Sequence, residues 1–171
     1  MTEQTAGGAP GKMMVLVSPS AFRERARRRL IRTLGRFHRA IVRVGGGRVL
    51  GRIAGMPVLL LTTTGRRSGK QRTVPLTYLR DGRDLVVVGS FGGSDQAPAW
   101  FLNLEHDPRA TVRLNGVTVT VTARTADVEE RARLWPTVIG TYQGYARYQT
   151  RTRRQIPIAL LTPTDHQIPA R

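Results

Sequence analysis

Residues 62–76, TTTGRRSGKQRTVPL, place a dense group of cations between two apolar runs. Glycine adopts positive φ readily and lets a backbone approach a ligand closely. Exposed N–H groups in such a turn can form an anion-binding concavity, and cationic side chains add charge-assisted hydrogen bonds to phosphate or carboxylate oxygens. The stretch therefore predicts a cradle for an anionic ligand, and a solvated basic turn is the alternative. Its four cations and two glycines are Arg66, Arg67, Lys70, Arg72, Gly65 and Gly69.

The phosphate-binding loop of nucleotide hydrolases does not fit this stretch. Three residues, not four, separate Gly65 from Gly69, and Gln71 stands where that motif needs a magnesium-binding Ser or Thr. The segment also leads from one strand pattern into another rather than into a helix. The sequence contains neither G-x-G-x-x-G nor G-x-S-x-G, so dinucleotide-binding and hydrolase-elbow motifs are absent from it.

Metal chemistry has weak support in the sequence. The chain has no cysteine, and its histidines, His38, His106 and His166, are too scattered to indicate a ligand cluster. Asn103 and His106 are polar candidates near one another, but capping or core packing explains them more simply. We therefore expect no metal site.

Aromatic residues in the second half of the chain are further candidates. Trp100 follows a glycine-rich loop on a short predicted helix, and Tyr142, Tyr145 and Tyr148 recur every third residue. Core packing is the default role of such residues. A tyrosine in a pocket can also donate a proton or a hydrogen bond to a substrate oxygen.

The charge of the chain is strongly positive and unevenly distributed. The 171 residues carry a net charge of +17, and only two of the 28 basic residues are lysine. Residues 1–52 account for +10 of this excess. Such a chain attracts nucleic acid, anionic lipid and phosphorylated cofactors alike, so charge alone does not choose among them.

The N-terminal region predicts a separate basic element. We expect a flexible tail at residues 1–17, then a basic amphipathic helix and linker at residues 18–52, in which GGG at 45–47 ends the helix. The arginine face of residues 18–44 predicts either packing or peripheral membrane contact, with nucleic acid less favoured. No apolar run approaches the roughly 20 residues of a membrane span.

The remaining sequence predicts an α+β domain over residues 53–165, with a short tail at 166–171. Helices are expected at 97–107 and from Asp127 to about Leu134, and Pro136 either interrupts the second helix or restarts it. Hairpin-linked strands without βαβ units indicate a small closed or half-closed antiparallel barrel and argue against a Rossmann fold. The six predicted strands cover residues 57–65, 71–80, 84–90, 110–116, 117–125 and 156–163.

Three blocks of this chain resemble the deazaflavin-dependent nitroreductase family of actinobacteria. They are LLLTTTGRRSGKQRTVPLTYLRDG, LVVVGSFGGSDQAPAWFLNLEHDPRATVRLNG and RARLWPTVIGTYQGYARYQTRTRRQIPIALL, which follow in matching order across residues 56–162. The resemblance implies a split β-barrel of the FMN-binding type and dependence on the deazaflavin coenzyme F-420. This fold agrees with the strand pattern read from the residues.

The resemblance also implies roles for particular residues. Arg67, Lys70 and Arg72, with Ser68, would hold the phosphate and acidic tail of the coenzyme. Tyr145 would orient the substrate or supply a proton. The other implied positions are Thr73, Val74, Pro75, Leu76, Val88, Gly89, Ser90 and Trp100 around the coenzyme ring, and Tyr142, Tyr145, Tyr148 and Trp100 on the substrate side.

Three departures from relatives bear on this assignment. Arg67 replaces a lysine found in many relatives, which keeps the charge but changes its geometry. Phe91 stands where some relatives have lysine or a small polar residue. Ala99 is smaller than the methionine of some relatives, so we expect a roomier pocket.

The implied activity is transfer of a hydride from reduced coenzyme F-420 to an electron-poor acceptor, with a quinone favoured and nitroaromatics as further substrates. The alternatives are an FMN- or haem-binding split barrel, and a non-enzymatic basic protein that binds membrane or nucleic acid through residues 23–43. We expect a cytoplasmic protein with peripheral contact at the inner face of the membrane. The sequence leaves the oligomeric state open.

Overall fold

The computed structural model describes residues 52–53 and 55–164. The predicted tails and the predicted helix at residues 18–44 lie outside these ranges, so they stay predictions. No described helix is long and apolar enough to cross a membrane. The strands are β1 (Arg52–Ile53), β2 (Met56–Thr64), β3 (Gln71–Asp81), β4 (Asp84–Val88), β5 (Arg109–Leu114), β6 (Val117–Thr125) and β7 (Ile158–Pro163). The helices are α1 (Ala99–His106), α2 (Val128–Thr141) and α3 (Gly144–Thr150), with a 3-10 turn at Phe91–Gly93.

Six of these strands form a closed antiparallel barrel. The order is β2-β3-β4-β7-β6-β5, and β5 pairs again with β2 to close it, while β1 adds a short ladder to β2. At the centre of this closure Leu61 lies between Val74 of β3 and Val112 of β5. Closure removes the exposed strand edges that invite aggregation. The predicted six-stranded barrel is thus confirmed.

Two of the hairpin turns follow directly from residues with positive φ. Gly82 has φ 58° at the β3–β4 turn, and Asn115 and Gly116 have φ 50° and 82° between β5 and β6. Asn-Gly suits a two-residue hairpin turn because both central residues need positive φ. Both turns lie where the sequence predicts them.

Alternation along the strands fills the barrel interior with apolar side chains. Leu59 and Leu61 of β2 and Val121 of β6 are fully buried there. Helix α1 adds Trp100 and Phe101 to the same core. Since successive strand residues point to opposite faces, the intervening side chains of β2 and β3 lie on the outer surface of the barrel.

A second apolar cluster covers part of the outer surface. Val86, Ile158 and Leu160 from the strands pack with Leu134 and Val138 of α2. Leu85, Val86 and Val87 are all buried, so β4 is covered on both faces.

Helix α2 begins as predicted and ends later. Asp127 and Glu130 form the expected capping box. The prediction that this helix stops near Leu134 is wrong, because α2 continues through Pro136 to Thr141. Burial of Leu134 and Val138 on either side of the proline holds the last turns against the barrel and offsets the hydrogen bond that proline cannot donate.

Candidate functional site

The basic loop, residues 65–72, comprises the compact turn between β2 and β3 and the first two residues of β3. Gly65 N–H donates to the carbonyl of Lys70 at 2.9 Å, and the Gly65 carbonyl accepts from Ser68 N–H at 3.0 Å and Gly69 N–H at 2.7 Å. Gly69 has φ 64°, a conformation that favours glycine. The loop therefore has a fixed shape set by its own backbone.

The anion cradle of backbone N–H groups expected for this loop is not formed. The N–H groups of Ser68 and Gly69 are used within the turn, and Lys70 N–H donates to Ser68 Oγ at 3.4 Å. The exposed basic side chains are the groups of the loop that could still bind an anion. Arg67, Lys70 and Arg72 are exposed, and within the described ranges none of them pairs with a carboxylate.

Asn103 of α1 fixes the start of the basic loop. Its Oδ1 accepts from Arg66 N–H at 3.2 Å, and its Nδ2 donates to Thr63 Oγ1 at 3.0 Å. Asn103 and Thr63 are both buried, at 5% and 1% exposure. The simpler explanation of Asn103, satisfaction in the core, is therefore the one that the structure supports, while His106 is exposed at the last turn of α1.

The β3 residues that are predicted to surround the coenzyme ring lie on two opposite faces of the strand. Val74 and Leu76 pack against the interior core to which Trp100 belongs. Thr73, which is exposed, and Pro75, which is buried, alternate with them on the outer face of the barrel. Thr73 shares a hydrogen bond of 2.8 Å between its Oγ1 and Thr62 Oγ1.

The backbone of β3 separates from β4 at the same place. The β3–β4 ladder runs from Asp81 and Asp84 only as far as Tyr78 and Val87. Beyond it, Gly89 N–H donates to the carbonyl of Pro157 at 2.9 Å, so the chain follows β7 and leaves β3. We name this interruption of the ladder the β3–β4 gap: it lies between residues 73–76 and residues 88–90.

The three predicted tyrosines converge on the outer surface although they do not share one helix. Tyr142 follows α2, whereas Tyr145 and Tyr148 belong to α3. Their ring centroids lie 5.4 Å apart for Tyr142 and Tyr145, 6.2 Å for Tyr145 and Tyr148, and 6.3 Å for Tyr142 and Tyr148. Val88 packs against the same cluster. Trp100 lies in the interior core instead, so the structure does not bring it into the tyrosine group.

Tyr145 is the most buried of these tyrosines and has a defined partner. Its exposure is 8%, and its hydroxyl lies 2.9 Å from Thr77 Oγ1. Burial raises the pKa of Tyr145 above its ordinary value, with the Thr77 hydrogen bond acting in the opposite direction. The side chain is therefore a neutral phenol at physiological pH. Sequence reasoning missed Thr77, although strand alternation places it on the face of Thr73 and Pro75.

Tyr142 and Tyr148 complete the cluster at its outer side. Their hydroxyls lie 3.5 Å apart, and this contact, followed by burial, raises the pKa of Tyr148. Gly144 makes the close approach of Tyr142 to α3 possible, because a Cβ at that position would lie 2.1 Å from the Tyr142 ring. The glycine at the start of α3 thus sets the spacing of the tyrosines.

The family of the chain follows from comparison with known proteins. The model of the family described as "F420H(2)-dependent quinone reductase" matches residues 34–163. The chain belongs to this family. The predicted identity as a deazaflavin-dependent oxidoreductase, with coenzyme F-420 as its cofactor, is confirmed.

Individual relatives agree with the family assignment. An F420H(2)-dependent quinone reductase of Mycobacterium tuberculosis is 40% identical over 131 residues, which are 74% of this chain and 88% of the relative. The solved structure titled F420-H2 dependent reductase (FDR-A) is 37% identical, with a TM-score of 0.56 over 61% of this chain and 93% of that one. The predicted split-barrel fold of this F420H(2)-dependent quinone reductase family member is confirmed.

A further solved structure covers more of the chain. It is described as a domain-swapped dimer and is 33% identical, with a TM-score of 0.59 over 84% of this chain and 99% of that one.

A cleft of about 230 Å³ lies elsewhere on this F420H(2)-dependent quinone reductase family member. It opens between α1 and the end of β6, and no residue of the basic loop or the tyrosine cluster lines it. The lining consists of Phe101, Leu104, Glu105, Pro108, Ala123, Arg124, Thr125 and Ala159.

Proposed function

We propose that the basic loop and the β3–β4 gap together bind reduced coenzyme F-420, and that the tyrosine cluster receives a quinone. The observation that carries the proposal is that Arg67, Lys70 and Arg72 have no carboxylate partner among the described residues and lie beside a stretch of β3 that has no second strand partner there. The family of the chain supplies the class of cofactor. The coenzyme, when bound, supplies the hydride, and the protein binds and orients it.

The acidic tail of the coenzyme fits the charges of the basic loop. Guanidinium and ammonium groups form short, charge-assisted hydrogen bonds to phosphate and carboxylate oxygens. Arg67, Lys70 and Arg72 have no competing carboxylate within the described ranges, and Ser68 adds a hydroxyl. The Asn103 contact keeps the loop in place before the ligand arrives.

The β3–β4 gap suits a flat ring with polar edges. Residues 73–76 pair with β2 on one side and have no strand partner among the described residues on the other. Such an edge presents free N–H and C=O groups that a heterocycle with alternating donors and acceptors can match. We propose that the ring lies there between residues 73–76 and Val88, Gly89 and Ser90.

The tyrosine cluster suits the acceptor. A quinone that gains a hydride also needs a proton, and the protonated hydroxyl of Tyr145 can hold one near the acceptor oxygen. Thr77 fixes the direction of that hydroxyl. Tyr142 and Tyr148 offer flat, partly exposed surfaces for an aromatic acceptor, and nitroaromatics are the second class of acceptor that such a site could take.

Titration of the purified full-length protein with oxidised coenzyme F-420, followed by the fluorescence of the coenzyme, tests this proposal. FMN is titrated in parallel, and the reduced coenzyme is then mixed with a soluble quinone. We expect coenzyme F-420 to bind and FMN not to bind. We also expect coenzyme binding to be lost in the double variant Lys70→Ala/Arg72→Ala and kept in Arg113→Ala. Arg113 is an exposed arginine on β5. Equal binding of FMN, or unchanged binding by the double variant, would refute it.

We also propose that residues 18–44 make the peripheral membrane contact predicted from the sequence. The first 52 residues carry a net charge of +10, and lipid-dissolved quinones would then reach the site from the membrane surface. Cosedimentation of the full chain with anionic and with neutral vesicles tests this. The proposal is supported if the protein binds only to anionic vesicles, and if salt or a change of arginines 27–29 to glutamine weakens this binding. Equal binding to neutral vesicles contradicts it.

A further inference from the structure

Arg154 lies in the connection between α3 and β7 and has no part in the binding site proposed above. Its side chain donates three hydrogen bonds to backbone carbonyls of one segment. Nη2 donates to Gly89 at 2.9 Å and to Ser90 at 3.0 Å, and Nε donates to Ser94 at 2.8 Å. These three carbonyls bracket the turn that follows β4.

The bracketed turn has an unfavourable backbone conformation. Phe91, Gly92 and Gly93 have φ 46°, 66° and 82° in succession. A bulky residue such as Phe91 with positive φ is strained, and such strain persists only where the surroundings enforce it. Only two hydrogen bonds close this turn internally, from Gly93 N–H to Ser90 and from Ser94 N–H to Phe91. The turn therefore depends on contacts from outside.

Further hydrogen bonds join the segment after β4 to the connection between α3 and β7. Asp95 accepts from Thr152 Oγ1 at 2.8 Å and from Arg153 N–H at 3.3 Å. The connection is also fixed to α3, since Gln149 donates through Nε2 to the Arg154 carbonyl and accepts through Oε1 from Ile156 N–H, both at 2.9 Å. Arg154 thus joins the segment after β4 to the helix that carries Tyr145 and Tyr148.

The geometry of Arg154 has a cost for stability. Its Nη1 is buried and has no hydrogen-bond partner in the described part of the chain. A buried polar atom without a partner is unfavourable, and burial of the guanidinium lowers its pKa.

We propose that Arg154 is a positioning residue, which fixes residues 89–94 so that Gly89 and Ser90 keep their place at the β3–β4 gap and the α3 tyrosines keep their place beside it. Part of this inference rests on the proposed binding of coenzyme F-420 at that gap. Only arginine suits the task, because a lysine ammonium is a single point charge and cannot span three carbonyls with planar donors.

Hydrogen exchange and coenzyme titration on full-length Arg154→Ala, Arg154→Lys and Arg153→Ala test the inference. In Arg154→Ala we expect the amides of Gly93 and Ser94 to exchange about tenfold faster or more, with β5 and β6 amides unchanged. We expect the Kd for coenzyme F-420 to rise about tenfold in the same variant. Arg154→Lys should give exchange rates and a Kd between those of Arg154→Ala and those of the wild type. Added guanidinium, below denaturing concentrations, should restore much of the binding in Arg154→Ala.

Arg153→Ala is the matched control, because Arg153 is exposed and its backbone N–H contact to Asp95 survives the change. It should behave as the wild type in both measurements. The inference would be overturned if the Gly93 and Ser94 amides of Arg154→Ala exchanged at the same rate as in the wild type. Equally faster exchange throughout the barrel, or faster exchange at the turn with unchanged coenzyme affinity, would also overturn it. Failure of the wild type to bind the coenzyme would instead refute the proposed function, and the exchange data would still decide whether Arg154 fixes the turn.

Discussion

The hydroxyl of Tyr145 on α3 lies 2.9 Å from Thr77 Oγ1 on β3, and this contact joins a helix and a strand 68 residues apart in sequence. Both groups are at least partly buried. A buried phenol with a threonine partner keeps a fixed direction, so the pair orients the Tyr145 hydroxyl on the outer face of the barrel.

Tyr145→Phe should reduce turnover without weakening binding of the coenzyme. The change removes the hydroxyl and keeps the ring, so we expect kcat for quinone reduction to fall about a hundredfold, the lower range for loss of a positioned proton donor. Steady-state kinetics with reduced coenzyme F-420 and a soluble quinone measures this. Tyr78→Phe is the matched control, since Tyr78 is an equally buried tyrosine in the interior core. A loss of the same size in Tyr78→Phe would assign the effect to packing.

The raised pKa of Tyr145 predicts the pH dependence of the reaction. Because burial raises the pKa of Tyr145 above its ordinary value, the hydroxyl stays protonated throughout the neutral and mildly alkaline range. The turnover number should therefore show no alkaline loss from Tyr145 between about pH 6 and 9. A pH profile of kcat for the wild type tests the point, and a descending limb that disappears in Tyr145→Phe would contradict it.

Removal of the cations on the basic loop should weaken coenzyme binding in a salt-dependent way. For Lys70→Ala and for Arg72→Ala we expect the Kd to rise about tenfold each, because each change removes charge-assisted hydrogen bonds. Since these side chains are exposed, the loss should shrink as ionic strength rises. Fluorescence titration at two salt concentrations measures both effects. Arg113→Ala should change neither the Kd nor its dependence on salt.

Asn103→Ala should disturb the basic loop from a distance. The change leaves the buried Thr63 hydroxyl and the Arg66 N–H without their partner, which costs about 1–3 kcal/mol of unfolding free energy. We also expect weaker coenzyme binding, since the loop loses its contact with α1. Urea unfolding and titration measure the two effects, with His106→Ala as the exposed control on the same helix. Normal stability in Asn103→Ala would show that water replaces the amide.

The barrel could be predicted from sequence because its signals are local. Asp81-Gly82 and Asn115-Gly116 specify tight turns, and strict alternation in β6 specifies one buried face. The end of α2 could not be predicted in the same way. Packing of Leu134 and Val138 on the barrel overrides the local effect of Pro136, and that packing is a tertiary property.

The candidate site was predictable only in part for the same reason. The exposed cations and the tyrosines are visible as residue types at regular spacing. The contacts that position them are long-range: Asn103 reaches Arg66, Thr77 reaches Tyr145, and Arg154 reaches Gly89. Sequence patterns give no information about the distance between residues that are far apart in the chain. These contacts can therefore be identified only in the folded structure.

Gly93→Ala should destabilise the protein more than Gly92→Ala. Both residues have positive φ, which costs an alanine roughly 1–2 kcal/mol in either position. A Cβ at Gly93 would also lie 2.7 Å from the Tyr148 carbonyl, whereas a Cβ at Gly92 would meet no atom within 4 Å. The difference between the two variants therefore isolates the close contact of the turn with α3. We expect Gly93→Ala to lose more unfolding free energy in urea and to reduce quinone turnover, because the displaced backbone carries Tyr148. Equal stability of the two variants would mean that the turn can move away from α3 at no cost, which would also weaken the argument that Arg154 holds it there.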